Sequence, residues 1–558
     1  MFVDGVWRPQ IRAMTSRSLG HRAPLLWLAA PMMAGLAAGK AVELAPVPWL
    51  LAGAFVAAAL AVVASWRARR WVEAALCASM FLAGAASYAL HRPRIAAWDA
   101  LPPREARVAL RIDRVFPQSD ARKAAGLAVV VRAEAPLQEL AGQRVYFSLA
   151  LRRGEAAPVR SAVVAAIGVI AVLPREPAAD TFDGYLANAG VNFRLTRGRV
   201  LAVERTPTRY RAWLGHAAEK LNALLGAGVA AKRPELTAVF RAMMLGQKHE
   251  LSDEQNALFM HSGTMHLFAI NGLHIGVVAL ALHAMLAVLR CPRPVAAVVT
   301  LAVLWLDVDT TGASPSAVRA WLLVAAFEAA FVLRRPANGL AALAGAALVV
   351  LLVEPLALFG ASFQMSYGVV FAILGFGLPA AERLAARWAP WSDLPVATWA
   401  WWQRAMAAGL RWFWPVAGIG LAAALVSAVT GPEFFHVFAP GGFFANLVLV
   451  PLAMVVIVAG FASVVAGLAG AGALGVLFNH AALLVLWGID ALIRAGVRVP
   501  GGWWNAQWRA PWVGGAALAA LLGAVLAGYA KGWRGWARGF WAPFAVAAVA
   551  VIFGVKFG

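Results

Sequence analysis

Acidic residues are scarce in this 558-residue chain: 27 Asp and Glu stand against 49 Lys and Arg, for a formal net charge of +22. Charge of either sign is thin, at 14% of residues, while 62% are hydrophobic. That balance excludes an ordinary soluble domain. Cysteine is nearly absent. Cys77 and Cys291 stand far apart, and neither has a Cys or His neighbour at zinc-like spacing. Both read as small apolar residues in or beside spans, and they carry no sign of the redox compartment. Several reaction motifs are missing too. There is no Gly-x-x-x-x-Gly-Lys-Ser/Thr loop to grip a nucleotide, and no His-Glu-x-x-His or Gly-x-Ser-x-Gly. An intramembrane hydrolase is therefore disfavoured, and neither catalysis nor a cofactor or metal is expected.

What is present is a series of long apolar runs. Several reach the roughly 20 residues that a helix needs to cross a bilayer. The fold class expected is a polytopic α-helical membrane protein with about 12–13 apolar spans. Residues 1–97 hold the first three, near 23–39, 45–65 and 71–90. The first resembles a signal peptide, with Arg8, Arg12, Arg17 and Arg22 before it. A second span follows at once, so it reads as an uncleaved helix. Positive charge fixes orientation. The basic N-terminus and the Arg67–Arg70 loop sit at the same side of a two-span hairpin. Both read as cytoplasmic, so the third span delivers the chain after His91 to the outside.

Residues 98–205 change character. Apolar and polar residues alternate in "VALRIDRVF" and "QRVYFSLALRR", which is strand patterning. Between residues 101 and 205 there are 16 Lys/Arg and 10 Asp/Glu, a net of +6. The length suits a small external β-domain. Basic and aromatic residues mix on its expected strands: Arg107, Arg111, Arg114, Arg132, Arg144, Tyr146, Phe147, Arg152 and Arg153. Such a surface suits the backbone and bases of a single nucleic-acid strand, although alternation also places such residues on a solvated face.

Residues 206–262 read as an amphipathic helical linker, with helix starts at Pro234–Glu235 and Ser252–Asp253. Residues 263–558 return to the membrane, with spans near 265–289, 294–306, 314–333, 338–353, 356–378, 413–430, 443–467, 471–492, 511–529 and 540–556. The second is short enough to be broken or re-entrant. The tryptophan-rich basic stretch between about 381 and 412 suits an interfacial helix. Arg494, Arg498 and Arg509 fall on the outside under this count, against the positive-inside rule.

Polar residues within such spans are costly and face partners or water-filled cavities. "HLFAINGLHIG", His266 to Gly276, opens one span with His266, Asn271 and His274. On a continuous helix these three share one broad side. Helix–helix hydrogen bonding and a pore-lining role both fit. Ser314, Ser316 and Arg319 start another span, with Arg319 placed to snorkel to the interface or to attract phosphate. Gln364, Ser366 and Asn446 are isolated polar groups within spans. Asp307 and Asp309 read as a solvated loop.

"GTMHLFAINGLHIG" (263–276) resembles the signature of the ComEC/Rec2 family of competence proteins. "FDGYLANAGV" (182–191), "MLGQKHELS" (244–252), "GASPSAVRA" (312–320), "EPLALFGASFQMSYG" (354–368) and "NLVLVPLA" (446–453) resemble further family segments in the same order. The resemblance implies an external domain of OB type and a membrane channel core that carries single-stranded DNA across the bacterial inner membrane in natural transformation. It implies as partners single-stranded DNA and other competence proteins: an external DNA receptor, a cytoplasmic motor or single-strand-binding proteins, and a separate nuclease. Where the family commonly has Ser, this chain has Asn271, which still donates and accepts hydrogen bonds. Some members carry a cysteine pair in the OB-like domain, which this chain lacks. Many members carry a metallo-β-lactamase-like nuclease. Its His-x-His-x-Asp-His cluster does not occur here, so a variant without that domain is expected. Composition and mid-membrane polar groups suit one rival of another class, a secondary transporter of a small or lipid-like anionic solute.

Overall fold

The computed structural model describes residues 23–558 apart from 43, 68, 93–101, 117, 119, 121, 154, 156, 175–176, 179, 248–249, 269–271, 335–337 and 536–538. Arg8, Arg12, Arg17, Arg22 and Asn271 lie outside the described residues.

Three helices come first: α1 (Leu26–Ala41), α2 (Val47–Arg67) and α3 (Arg69–His91). Small residues let α1 and α3 approach closely. A Cβ at Gly35 would stand 1.9 Å from the carbonyl oxygen of Phe81, so only glycine fits.

The alternating segment then folds into a closed five-stranded barrel from β1 (Arg104–Phe116), β2 (Lys123–Ala133), β3 (Arg144–Ala150), β4 (Val163–Val172) and β5 (Phe193–Arg205). The strand order is β1-β2-β3-β5-β4, with β1 closing antiparallel onto β4 and β3 running parallel to β5. This is an OB-type barrel. Alternation fills its interior with Val108, Leu110, Ile112, Val145, Phe147 and Leu149, and sends Arg107 and Arg111 outward. A short helix, α4 (Phe182–Asn188), precedes β5, capped by Thr181 accepting from the Gly184 amide.

Helices α5 (Arg209–Gly226), α6 (Pro234–Leu245) and α7 (Asp253–His261) link barrel to bundle. Pro234 stands in the first turn of α6, and Ser252 with Gln255 forms a capping box on α7.

The bundle runs α8 (Gly272–Val288), α9 (Arg293–Thr310), α10 (Pro315–Val332), α11 (Gly339–Val353), α12 (Ala361–Ala372), a π-helical turn Ile373–Gly377, α13 (Leu378–Arg387), α14 (Trp401–Phe434), α15 (Gly441–Leu468), α16 (Gly472–Val497), α17 (Val513–Ala530) and α18 (Trp541–Gly554). Among the described residues eight helical stretches are long and apolar enough to cross a membrane, and Gly272–Val288, Gly339–Val353 and Trp541–Gly554 are shorter apolar helices. The chain is a multi-pass helical membrane protein.

Two expectations change. The segment near 294–306 is neither short nor broken: α9 is an 18-residue helix. The tryptophan-rich stretch is not one interfacial helix. A turn around Pro395 divides it, and Trp401 onward forms the start of the 34-residue α14. Gln403 fixes that start, its Oε1 accepting from the Ala400 amide at 2.8 Å.

Candidate functional site

The barrel is bonded to one end of the bundle. Asp309 in the last turn of α9 is buried, and it collects three donors from outside the bundle. Arg211 Nη1 reaches its Oδ1 at 2.6 Å, Arg160 Nη1 the same oxygen at 3.2 Å, and the Tyr210 hydroxyl its Oδ2 at 2.9 Å. Asp307 and Asp309 are thus helical residues and not the solvated loop expected; Asp309 is held because its carboxylate balances two guanidinium groups. Burial and the nearby Arg211 lower the Arg160 pKa from its ordinary value, and Asp309 works the other way. Arg114 Nη2 donates to the Ala313 carbonyl at 3.1 Å, Asn188 to the Phe359 carbonyl at 3.2 Å, and His436 Nε2 stands 2.9 Å from Asp180 Oδ2. These contacts mark the barrel-side ends of α9, α10, α12 and α14.

Beneath the barrel lies a cavity of about 2390 Å³. Its mouth is lined by Arg111, Arg114, Arg144 and Arg160 with Asp113 and Tyr185. It continues between α10, α12, α14 and α15, where His266, Ser316, Arg319, Ser366 and Asn446 supply polar groups.

Among the described residues Arg319 is the largest fully buried side chain, 1% exposed. Pro315 in the first turn of α10 and Ser314 as its cap, accepting from the Ala317 amide at 3.3 Å, start the helix so that Arg319 meets α12. There its Nη2 donates to the carbonyl of Ser362 and to the Ser362 hydroxyl, the latter at 3.0 Å, and its guanidinium stands 5.4 Å from the Tyr367 ring centre. Its Nε and Nη1, and Oδ1 of Asn446, are buried without a hydrogen-bond partner among the described residues. Arg319 does not snorkel. It is a cation held inside the bundle with two donor groups to spare.

The other candidate positions divide. His266 belongs to a 3₁₀ turn, Met265–Phe268, and is exposed toward the cavity, whereas His274 belongs to α8 and is buried. The pair therefore does not share one continuous helix face. His274 Nε2 stands 3.7 Å from Asp307 Oδ2, off the cavity. Gln364 donates to the Leu358 carbonyl at 3.2 Å and is also off it. On the barrel, Arg111, Arg114 and Arg144 reach the cavity mouth. Arg107, Arg132, Arg152 and Arg153 are exposed elsewhere, with Arg132 paired to Glu204 at 2.7 Å. Phe147 is corrected outright: it is fully buried in the barrel core, because its position in β3 points inward, and it cannot stack on a ligand.

Tyr146 is half-buried in an aromatic group with Phe116, Phe182 and Tyr185. Phe182 and Tyr185 lie nearly parallel with ring centres 6.1 Å apart, and are 50% and 42% exposed. Sequence reading passed over these two and Arg160 and Arg211. "FDGY" carries an exposed aromatic pair at i,i+3 on a helix, a usable signal. The meeting of Arg160 and Arg211 with Asp309 leaves no local trace.

These features define a class: a multi-pass helical membrane protein whose OB-type barrel sits over a cavity between the helices. The chain belongs to the competence protein family, whose model, described as "Competence protein", matches residues 243–531. It is 32% identical over 141 residues to "ComE operon protein 3" of Bacillus subtilis (strain 168), a stretch covering 25% of this chain and 18% of that relative. No solved structure matches.

Proposed function

We propose that the protein takes up DNA in natural transformation, conducting a single strand inward through the bacterial inner membrane, with the barrel on the external side. The observation that carries this reading is the continuous cavity running from four arginines of the barrel to a buried, incompletely partnered arginine in the bundle. A strand arrives as a chain of phosphates. Arg111, Arg114, Arg144 and Arg160 meet them at the mouth, and exposed Phe182 and Tyr185 offer faces for bases. Arg319 then supplies a cation within the low-dielectric layer, with donors on Nε and Nη1 that its bonds to Ser362 leave unused. Ser316, His266 and Asn446 supply neutral hydrogen-bonding groups on the way. Other competence proteins and a nucleotide-driven motor on the cytoplasmic side would be its partners. The family match favours this over transport of a small anion. Labelled DNA should stay outside a deletion strain and enter again when this gene is restored. Unchanged entry without the gene would refute the proposal.

A further inference from the structure

The polar and apolar linings of the cavity are separated by depth. Counted from the barrel-side end of each helix, Arg319 of α10, Ser366 of α12, Asn446 of α15 and Ser427 of α14 all fall within about two turns. Deeper lining positions are apolar in all four walls. Phe327 follows on α10, Val370 and Ile373 on α12 and its π-helical turn, and Ile419, Val416 and Trp412 on α14. At about 1.5 Å of rise per residue, Phe327 lies about 12 Å beyond Arg319, and Trp412 is further still from the barrel. No Asp, Glu, Lys or Arg lines this half of the cavity among the described residues.

We infer that these six residues form an apolar collar that sets the selectivity of the path, sealing it against protons and small ions while admitting a strand. The inference rests on the channel reading above. An ion entering the collar would find no polar group in its lining to replace its water, and an apolar passage is poorly wetted. A nucleic-acid strand differs because every base has an apolar face. Phe327 and Trp412 offer rings for such faces to slide across, so the collar closes around the strand as it passes. The polar half above it, ending at Arg319, holds the phosphates until force from the cytoplasmic side draws them through. Close packing holds two of its walls together. Just below Ile373, α12's π-helical turn meets α14 glycine against glycine: a Cβ at Gly418 would stand 2.5 Å from the Gly377 carbonyl oxygen.

The test is ion conductance of the purified full-length protein in planar bilayers without DNA. Val416→Thr and Ile419→Thr place a hydroxyl in the collar, the first with almost no change of shape. Monodisperse elution and a thermal transition verify folding. The unaltered protein and Val416→Ile should remain silent. Each threonine variant should conduct about tenfold above background, and cells carrying it should become permeable to a small impermeant dye. A freely conducting unaltered protein, or folded threonine variants that stay silent, would overturn the collar. Transformation is scored in the same strains. DNA entry in the deletion strain defeats the channel reading itself, whereas gene-dependent entry with silent threonine variants defeats the collar alone.

Discussion

At the residue scale the buried polar groups sort by what surrounds them. Arg319 keeps two nitrogens unpartnered, while His274 stands against Asp307 away from the cavity. The two should respond differently to mutation. Arg319→Gln should lower DNA uptake by about tenfold or more at unchanged membrane abundance, since one charge-assisted phosphate contact is lost. Arg319→Lys should fall between, because a lysine keeps the charge but not the guanidinium's several fixed donors. Quantitative transformation beside immunoblots of membranes decides it; equal uptake in all three proteins would remove Arg319 from the path. His274→Ala should instead reduce folded protein by loosening α8 from α9, at about 1 kcal/mol, with uptake falling in proportion. A stable His274→Ala protein with no uptake would contradict that assignment.

At the element scale one carboxylate gathers the most partners in the contact between the barrel and the bundle. Asp309 serves α9, the chain leading into β4 through Arg160, and α5 through Arg211 and Tyr210. Arg160 is 41% exposed in its side chain and Arg211 20%, so solvent weakens each pair. Asp309→Asn should therefore cost about 1–2 kcal/mol, not the larger sum expected of fully buried pairs. The thermal transition in detergent should drop by a few degrees and protease cleavage between β5 and α5 should quicken. Unchanged cleavage would mean that Arg114, Asn188 and Asp180 suffice to hold the barrel. The barrel itself was legible in the alternation of "VALRIDRVF", since a strand's inward set is read from every second residue. Its seat on the bundle was not, because those contacts join residues about a hundred or more positions apart.

At the scale of the whole molecule, charge and cavity act together. The structure leaves three of the expected barrel arginines, with Arg160, at the cavity mouth and turns the rest elsewhere. Binding of single-stranded DNA by the intact protein should weaken as salt rises, and Arg111→Gln with Arg144→Gln should flatten the log–log slope by about 0.7 per lost phosphate contact. An unchanged slope would move the strand to another face of the barrel. Orientation is open to direct measurement. A cysteine at Ala157, exposed on the barrel, should react with an impermeant thiol reagent in cells whose inner membrane is intact. Labelling only after lysis would reverse the topology.

Composition and periodicity by themselves determined that this chain crosses a membrane many times, that a β-domain interrupts the spans, and that "GASPSAVRA" opens an apolar helix with polar groups. These follow from local rules, since hydropathy and strand alternation need only neighbouring residues. Tertiary structure alone decided which polar groups meet the cavity. His274 and Gln364 turned to protein partners while His266, Ser316, Arg319 and Asn446 turned inward. Phe147 entered the barrel core, and Phe182 and Tyr185 took the exposed aromatic place. A side chain's facing depends on helix rotation and on what packs against it, and those are fixed by contacts between distant segments that no window of sequence contains.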